Sequence, residues 1–240
     1  MDVVAEAASF FADGAHWDGT DGIPSRVVQH VLMAGLALIV GLGIALPIGI
    51  WIGHTGRGGV LAIGIANIGR AVPSFAILVM LLPLVLGLGL GLGFWPTVVA
   101  LVVLTIPPIL VNTYTGIRSV DPDMVEAARG MGMREREIAL RVELPTALAI
   151  VIAGTRVAAV QVVATATLGA VVASGGLGRY IVDGFARQED GRILAGALLV
   201  ALLAIGTDQL FSLIERRGVS PGIRGRRRPQ PPELAARPAA

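Results

Sequence analysis

The feature that most constrains this chain is a series of long apolar runs that carry almost no charge. A helix of about 20 apolar residues matches the hydrocarbon thickness of a lipid bilayer, and runs of about 18 or more are typical of membrane spans. Arg156 and Asp208 are the charged residues inside these runs. The pattern predicts a protein that crosses a membrane several times. Five runs reach the required length: Val31–Ile52, Ala71–Trp95, Thr97–Ile117, Leu144–Leu177 and Ile193–Ile214.

The overall composition agrees with this interpretation. Charged residues make up 15% of the chain, against about 25% in soluble globular domains. Core helices of a soluble protein would need far more polar faces than these runs offer. We therefore expect an all-α membrane protein with about five transmembrane helices. Six remain possible, because residues 60–95 contain Arg70, Pro73 and Pro83 and can be read as two passes.

Two absent residue types exclude several kinds of chemistry. The chain contains no cysteine and no lysine, since all 19 of its basic residues are arginine. Disulfides and thiolate metal sites are therefore excluded, and so is the lysine-dependent phosphate loop of ATPases. If ATP drives this protein, another chain must hydrolyse it. The histidines (His16, His30 and His54) are scattered and no catalytic cluster is evident, so we expect no metal, no cofactor and no enzymatic activity.

The two ends of the chain differ from its apolar middle. Residues 1–25 contain five acidic residues and no arginine, whereas a secretory signal requires a basic start. We expect this stretch to be an extracytoplasmic or interfacial segment, followed by a transmembrane domain over residues 26–215. Residues 216–240 are rich in Arg, Pro and Gly, which predicts a disordered basic tail on the cytoplasmic side.

The distribution of arginine predicts the orientation, because cytoplasmic loops of membrane proteins carry an excess of basic residues. If the loop after the third span is cytoplasmic, 13 arginines lie on the cytoplasmic side and four on the other. We expect a multi-pass protein of the inner (plasma) membrane with its N-terminus outside and its C-terminus inside. The cytoplasmic set is Arg57, Arg118, Arg129, Arg134, Arg136, Arg141 and the seven arginines from Arg216 to Arg237; the opposite set is Arg26, Arg179, Arg187 and Arg192.

The stretch between the third and fourth spans, residues 118–145, is too regular to be a simple connector. Asp121 followed by Pro122 is a helix start, with an N-cap residue and proline in the first turn. A short helix should run to about Arg129 and end at a turn containing Gly130 and Gly132. A second polar helix is expected over residues 134–141, before a new helix that begins at Leu144-Pro145. The small and apolar residues of this helix pair are suited to docking on a partner: Ala127, Ala128, Met131 and Met133.

These residues resemble a known family. The order Glu126-Ala127-Ala128, then Gly132, then Val142, Leu144 and Pro145 is similar to the EAA loop of binding-protein-dependent ABC importer permeases, with Val142 where isoleucine is commoner. The resemblance implies that the loop docks on a separate ATPase subunit, which acts as a dimer, and transmits its movement to the spans. The coupling residues so implied are Glu126, Ala127, Ala128, Gly130, Met131, Gly132, Leu144 and Pro145.

Further segments are similar to permeases for osmoprotectants such as glycine betaine, choline and carnitine. They are Val72–Ala76, Pro107–Ile117, Val120–Pro122, Arg129–Met133 and Gly175–Gly178. The resemblance implies a second permease copy or paralogue and an extracytoplasmic solute-binding protein as partners beside the bilayer, and no nucleic acid. Gly175–Gly178 also matches methionine-type permeases, so another small solute such as an amino acid remains open. Arg70 departs from the family pattern, where an uncharged polar residue is expected.

Ionisable residues inside membrane spans are costly and are candidates for function. Arg156 lies roughly 16 Å beyond Pro145 along a helix, and Asp208 roughly 9 Å before the end of its span. A pairing of Asp208 with Arg156 or Arg70 is geometrically possible, and a purely structural polar contact is an equal alternative. The candidates for the translocation path or for intramembrane polar contacts are Arg70, Ser74, Asn112, Tyr114, Arg156, Gln161 and Asp208.

Two other classes of protein remain as alternatives. An ion-coupled secondary transporter would be expected to show paired inverted halves and more carboxylates within the membrane. A membrane-embedded enzyme would require converging His, Asp, Glu or Ser residues in the spans. Neither pattern is evident in the sequence.

Overall fold

The computed structural model describes residues 2–218, apart from the side chains of residues 61, 65, 68 and 70. The predicted tail therefore lies outside the described residues beyond position 218, as does the side chain of Arg70. Within the described part every regular element is helical, which confirms the predicted all-α class. The helices are α1 (Val3–Ala12), α2 (Ile23–Thr55), α3 (Gly59–Ala71), α4 (Ser74–Gly87), α5 (Phe94–Arg118), α6 (Pro122–Gly130), α7 (Glu135–Ile138), α8 (Leu144–Thr165), α9 (Gly178–Arg187) and α10 (Asp190–Gly218).

Four helical runs of the described chain are long and apolar enough to cross a membrane. They are α2, α5, α10 and the continuous run Glu135–Val172, which contains α7 and α8. The predicted second span, Ala71–Trp95, is not one helix. It is replaced by the shorter helices α3 and α4, which are separated at Val72 and Pro73 because proline cannot donate a backbone hydrogen bond and disfavours helical geometry in the residue before it.

Helices α2 and α5 pack closely and run in the same direction. Three glycines of α2 face α5 so tightly that an added Cβ atom would lie 2.6 to 2.7 Å from the opposing side chain. The residue numbers rise together along both helices, so the helices are parallel. In a membrane, two parallel spans must be joined by an odd number of crossings. The contacting pairs are Gly41 with Thr105, Gly49 with Thr113 and Gly53 with Ile117.

Helices α3 and α4 together supply that crossing. Gly59 at the start of α3 lies against Tyr114, near the end of α5, whereas Leu78 of α4 lines a crevice with Thr97, near the start of α5. The two short helices therefore follow α5 in the opposite direction along its length. Residues 60–95 cross once rather than twice, and the described residues form five crossing segments.

The remaining contacts define the two ends of the bundle. Gly116 packs against Ala147, and Gly169 packs against Thr97, so α8 runs antiparallel to the central helix α5. Helix α10 returns along α8. One end, called here the α6 end, carries the turn after α2, helices α6 and α7 and the end of α10. The other, called the α1 end, carries α1 and α9, which pack with the start of α10 around Phe10, Leu177, Tyr180 and Ala195.

Candidate functional site

Helix α6 begins and ends where the local sequence dictates. The Asp121 side chain accepts a hydrogen bond from the Asp123 amide at 3.0 Å, and Pro122 occupies the first turn. The helix ends at Gly130, and Gly132 then adopts φ +82°, a left-handed conformation that favours glycine. The predicted helix start and the predicted turn are both confirmed.

The outer side of α6 is open and its inner side is anchored. Val125 packs against a cluster formed by Ile117 of α5 and Val151 of α8, and Ala128 is only 2% exposed. Ala128 therefore faces the bundle, although the sequence analysis counted it among the docking residues. Met131 is 76% exposed, which leaves its side chain available to a partner. The exposed residues of the predicted coupling set are Glu126, Ala127, Gly130, Met131, Gly132 and Pro145.

The second predicted helix of the loop, residues 134–141, does not exist as a separate element. Helix α7 continues through a π-helical turn, Ala139–Glu143, directly into α8. Pro145 explains the irregular turn, since its ring has no N–H and would clash with the carbonyl group four residues earlier in a regular helix. Leu144 packs against Ile117 in the interior. Helix α7 is therefore joined to a membrane span without an intervening loop.

A network of polar side chains ties this loop to the end of α2. His54 lies between two carboxylates, with its Nδ1 atom 2.7 Å from Glu143 and its Nε2 atom 3.1 Å from Glu135. Glu135 in turn accepts two hydrogen bonds from Arg129 of α6, at 2.7 and 2.9 Å. We call these four side chains the His54 network. Glu143 is only 7% exposed and His54 14%, whereas Glu135 and Arg129 are more than half exposed.

The hydrogen bonds that Arg129 donates to Glu135 raise the pKa of Arg129 above its ordinary value. The guanidinium group therefore stays charged at every physiological pH, and it holds Glu135 in place beside His54. In the sequence, His54 is one of three scattered histidines. The sequence did contain a signal for the His54 network. Glu135 and Glu143 are eight residues apart and share a helix face, and His54 follows an apolar run.

Arg156 and Asp208 form an ion pair between two neighbouring helices of the bundle. Arg156 donates from its Nε and Nη2 atoms to both carboxylate oxygens of Asp208, at 2.6 and 2.7 Å, and its Nη1 atom lies 3.8 Å from Glu215. The pair links α8 to α10 with the two-point geometry that arginine and carboxylate favour. Both side chains are about one third exposed.

The other predicted path residues whose side chains the structure describes are not gathered into one site. Ser74 lines a narrow crevice with Leu104, whereas Asn112 donates to the carbonyl oxygen of Pro108 on its own helix, at 2.7 Å. Tyr114 covers Gly59 near the α6 end, and Gln161 is half buried on α8.

A second histidine, His30, is fully buried near the α1 end. Its Nε2 atom lies 2.8 Å from the carbonyl oxygen of Val163, and its Nδ1 atom accepts a hydrogen bond from the Leu177 amide at 3.3 Å. A carbonyl oxygen can only accept, so Nε2 carries the proton and the ring is neutral. Gln29 accepts from the Gly176 amide at 3.0 Å. Both side chains of α2 thus fasten the Gly175–Gly178 segment, a role that the sequence analysis missed.

Comparison with known proteins identifies the family. Residues 45–218 match the family described as "Binding-protein-dependent transport system inner membrane component". The chain belongs to this family. It is therefore a multi-pass membrane permease of the kind that works with ATPase and solute-binding partners.

Several characterised relatives are similar in sequence to this permease along most of their length. It is 33% identical to the carnitine transport permease protein OpuCB of Listeria monocytogenes, over 90% of this chain and 94% of the relative. It is 36% identical to the choline transport system permease protein OpuBB of Bacillus subtilis, over 82% and 89% of the two chains. It is 31% identical to the osmoprotectant import permease protein OsmW of Salmonella typhimurium, over 86% and 96%.

Solved structures support the same fold for the permease. A chain of the MetNI methionine ABC transporter, in an inward-facing conformation, superposes with a TM-score of 0.72 at 23% identity, covering 82% of this chain and 96% of that one. A chain of an amino acid ABC transporter superposes with a TM-score of 0.65 at 19% identity.

Proposed function

We propose that this permease forms the translocation path of an ATP-driven importer for a small osmoprotectant, such as glycine betaine, choline or carnitine. The observation that carries the substrate class is its similarity to relatives named for carnitine, choline and osmoprotectant transport, at 31 to 36% identity over most of the chain. The likeness to methionine and amino acid transporters concerns the fold alone.

The α6 end is the proposed docking site of an ATPase dimer. Its exposed residues include Glu126 and Met131, and α7 runs without interruption into the fourth crossing segment. Because the chain has no lysine, it has no phosphate loop of its own, and the partner supplies the hydrolysis. A second permease, identical or paralogous, would complete the path.

The α6 end is the proposed cytoplasmic end. In the described residues it carries eight arginines, against four at the α1 end, in agreement with the excess of basic residues on cytoplasmic loops. An extracytoplasmic solute-binding protein would then dock at the α1 end. There, α1 and the start of α10 border an open recess of about 750 Å³ that is lined by Glu6, Asp13, Arg187, Glu189 and Arg192.

Uptake by the reconstituted complex tests the proposal. Vesicles containing the permease, its ATPase and its binding protein are expected to accumulate labelled glycine betaine, choline or carnitine when ATP is supplied to the ATPase side. Labelled methionine serves as the comparison substrate for the amino acid alternative. Uptake that persists without the ATPase subunit would contradict an ATP-driven importer and favour an ion-coupled transporter.

The docking role of α6 has its own test. Gly132→Pro is incompatible with the φ of +82° at this position, and Glu126→Arg reverses an exposed charge. Both changes are expected to abolish stimulated ATPase activity while the permease still inserts into the membrane. Leu202→Met, an exposed change in the membrane-spanning part of α10, is the control. Normal stimulated activity in both α6 variants would contradict the proposed docking site.

A further inference from the structure

The His54 network joins four separate segments at the α6 end. Arg129 belongs to α6, Glu135 to α7, Glu143 to the π-helical turn and His54 to the last turn of α2. Docking of a partner on the exposed residues of α6 does not require His54. Its position between two carboxylates therefore calls for another explanation.

The hydrogen bonds of His54 require a positively charged ring. Both of its nitrogen atoms face carboxylate oxygens, at 2.7 and 3.1 Å, and ionised carboxylates can only accept. A neutral imidazole has one N–H group and satisfies one of these acceptors, whereas an imidazolium ring has two and satisfies both. Protonation of His54 therefore decides whether α2 is held to α7 as well as to the π-helical turn.

The path from α6 to the centre of the bundle is mechanically continuous. Arg129 holds Glu135 with two hydrogen bonds, and Glu135 holds His54. His54 adjoins Gly53, where α2 packs against Ile117 of α5 without room for a side chain. These contacts thus connect α6 to the parallel α2–α5 pair as well as to α8.

We propose that protonated His54 is a positioning residue that transmits the movement of α6 to α2, so that the coupling of ATP hydrolysis to import depends on its charge. This inference rests on the proposed importer function. The charged groups that face the ring come from the elements packed against it: Glu135 of α7 and Glu143 of the π-helical turn, with Arg129 of α6 behind Glu135. One further charged group lies close to the end of α2: Arg118 of α5 is next to Gly56, the residue that follows this helix.

The test measures the number of ATP molecules hydrolysed per solute imported by the reconstituted complex, from about pH 5 to about pH 8, the range in which histidine changes its charge. His54→Gln removes the charge, and His54→Arg keeps a positive charge and several donors at every pH. The Gln variant is expected to raise the ratio by about fivefold or more, as the loss of one charge-assisted hydrogen bond implies. The Arg variant should stay coupled, and the wild type should match it only at the acidic end.

A matched pair of acidic residues on α7 provides the control. Glu135→Gln removes a carboxylate that faces His54, whereas Glu137→Gln changes a neighbour whose side chain accepts from the Arg134 amide at 3.0 Å, a bond that glutamine also makes. Only Glu135→Gln is expected to uncouple the complex. Thermal unfolding of each purified variant shows whether it has folded, and His54→Arg rescues coupling only if charge is what matters.

The outcomes separate this inference from the proposed function. If the wild-type complex imports none of the three osmoprotectants, the proposed function fails and His54 is not the cause. If the wild type imports but His54→Gln is coupled as tightly at every pH, the inference is overturned. It is likewise overturned if His54→Arg uncouples as strongly as His54→Gln, because then ring shape and not charge is required.

Discussion

The two histidines of α2 fasten opposite ends of the same helix in different ways. His30 is completely buried and bonds only to backbone groups, the Val163 carbonyl and the Leu177 amide. His54 keeps 14% of its side chain exposed and bonds only to carboxylates, those of Glu135 and Glu143. His30 needs a neutral ring, because a second proton would face the Leu177 N–H, whereas His54 needs a charged one.

The difference shows which end of the bundle is fixed and which is adjustable. Backbone partners without access to water can be exchanged only by moving whole segments, so we expect the contacts at the α1 end to stay in place. Carboxylate partners near the surface can be lost when a proton leaves or an exposed side chain turns. The adjustable contacts lie at the α6 end, where the proposed ATPase would dock.

The largest effect is expected from His30→Ala. The change leaves a cavity and two unpaired backbone groups in a dry interior, and we expect a loss of about 3 kcal/mol in the free energy of unfolding. Thermal unfolding of the detergent-solubilised permease measures it. His54→Ala is the comparison and should cost less than half as much. Equal losses at the two histidines would remove the distinction between a fixed and an adjustable end.

Two glycines, one at each end of the bundle, test the same contrast between a fixed and an adjustable end. Gly176 and Gly132 both have φ of +82°, but only at Gly176 would an added Cβ atom meet neighbours, His30 Nδ1 at 3.1 Å and Met33 Cε at 3.0 Å. Gly132→Ala should cost about 1 kcal/mol for the left-handed backbone alone, and Gly176→Ala about 2 kcal/mol. The same unfolding measurement decides. A larger loss at Gly132 would mean that the α6 turn is the more constrained of the two.

Breaking the ion pair of Arg156 and Asp208, which lies between the two ends, is expected to have an intermediate effect on stability. Arg156→Gln leaves the Asp208 charge without its partner, and Asp208→Asn leaves Arg156 with Glu215 alone at 3.8 Å, so each should lower the unfolding temperature and reduce import. The double variant removes both charges, so its loss of stability should be smaller than the sum of the losses in the two single variants. Additive losses would show that the two side chains act independently, in spite of their two hydrogen bonds.

The smallest effect is expected from Tyr180→Phe at the α1 end. Burial raises the pKa of the Tyr180 hydroxyl group, which therefore stays protonated and donates to the Asp21 carbonyl oxygen at 2.8 Å. Removing this one hydrogen bond should cost about 1 kcal/mol in the free energy of unfolding. Phe185→Leu, an exposed change on the same helix, is the control and should have no measurable effect.

Features encoded within a few neighbouring residues could be predicted from the sequence. The apolar runs indicated α2, α5, α8 and α10, because hydropathy and length alone decide whether a helix fits a bilayer. Asp121, Pro122 and Gly132 fixed the start and the end of α6 because a cap and a left-handed turn are local events. The order of residues in this loop also indicated the family.

Features that depend on residues far apart in the chain were decided by the tertiary structure. The single crossing of residues 60–95 follows from the glycines of α2 packing parallel to α5, which no local pattern reveals. The choice of Arg156 as the partner of Asp208, 52 residues away, and the meeting of His54 with Glu143, 89 residues away, are of the same kind. Hydropathy and capping act over one or two helical turns, whereas partners and direction are set by which helix faces meet.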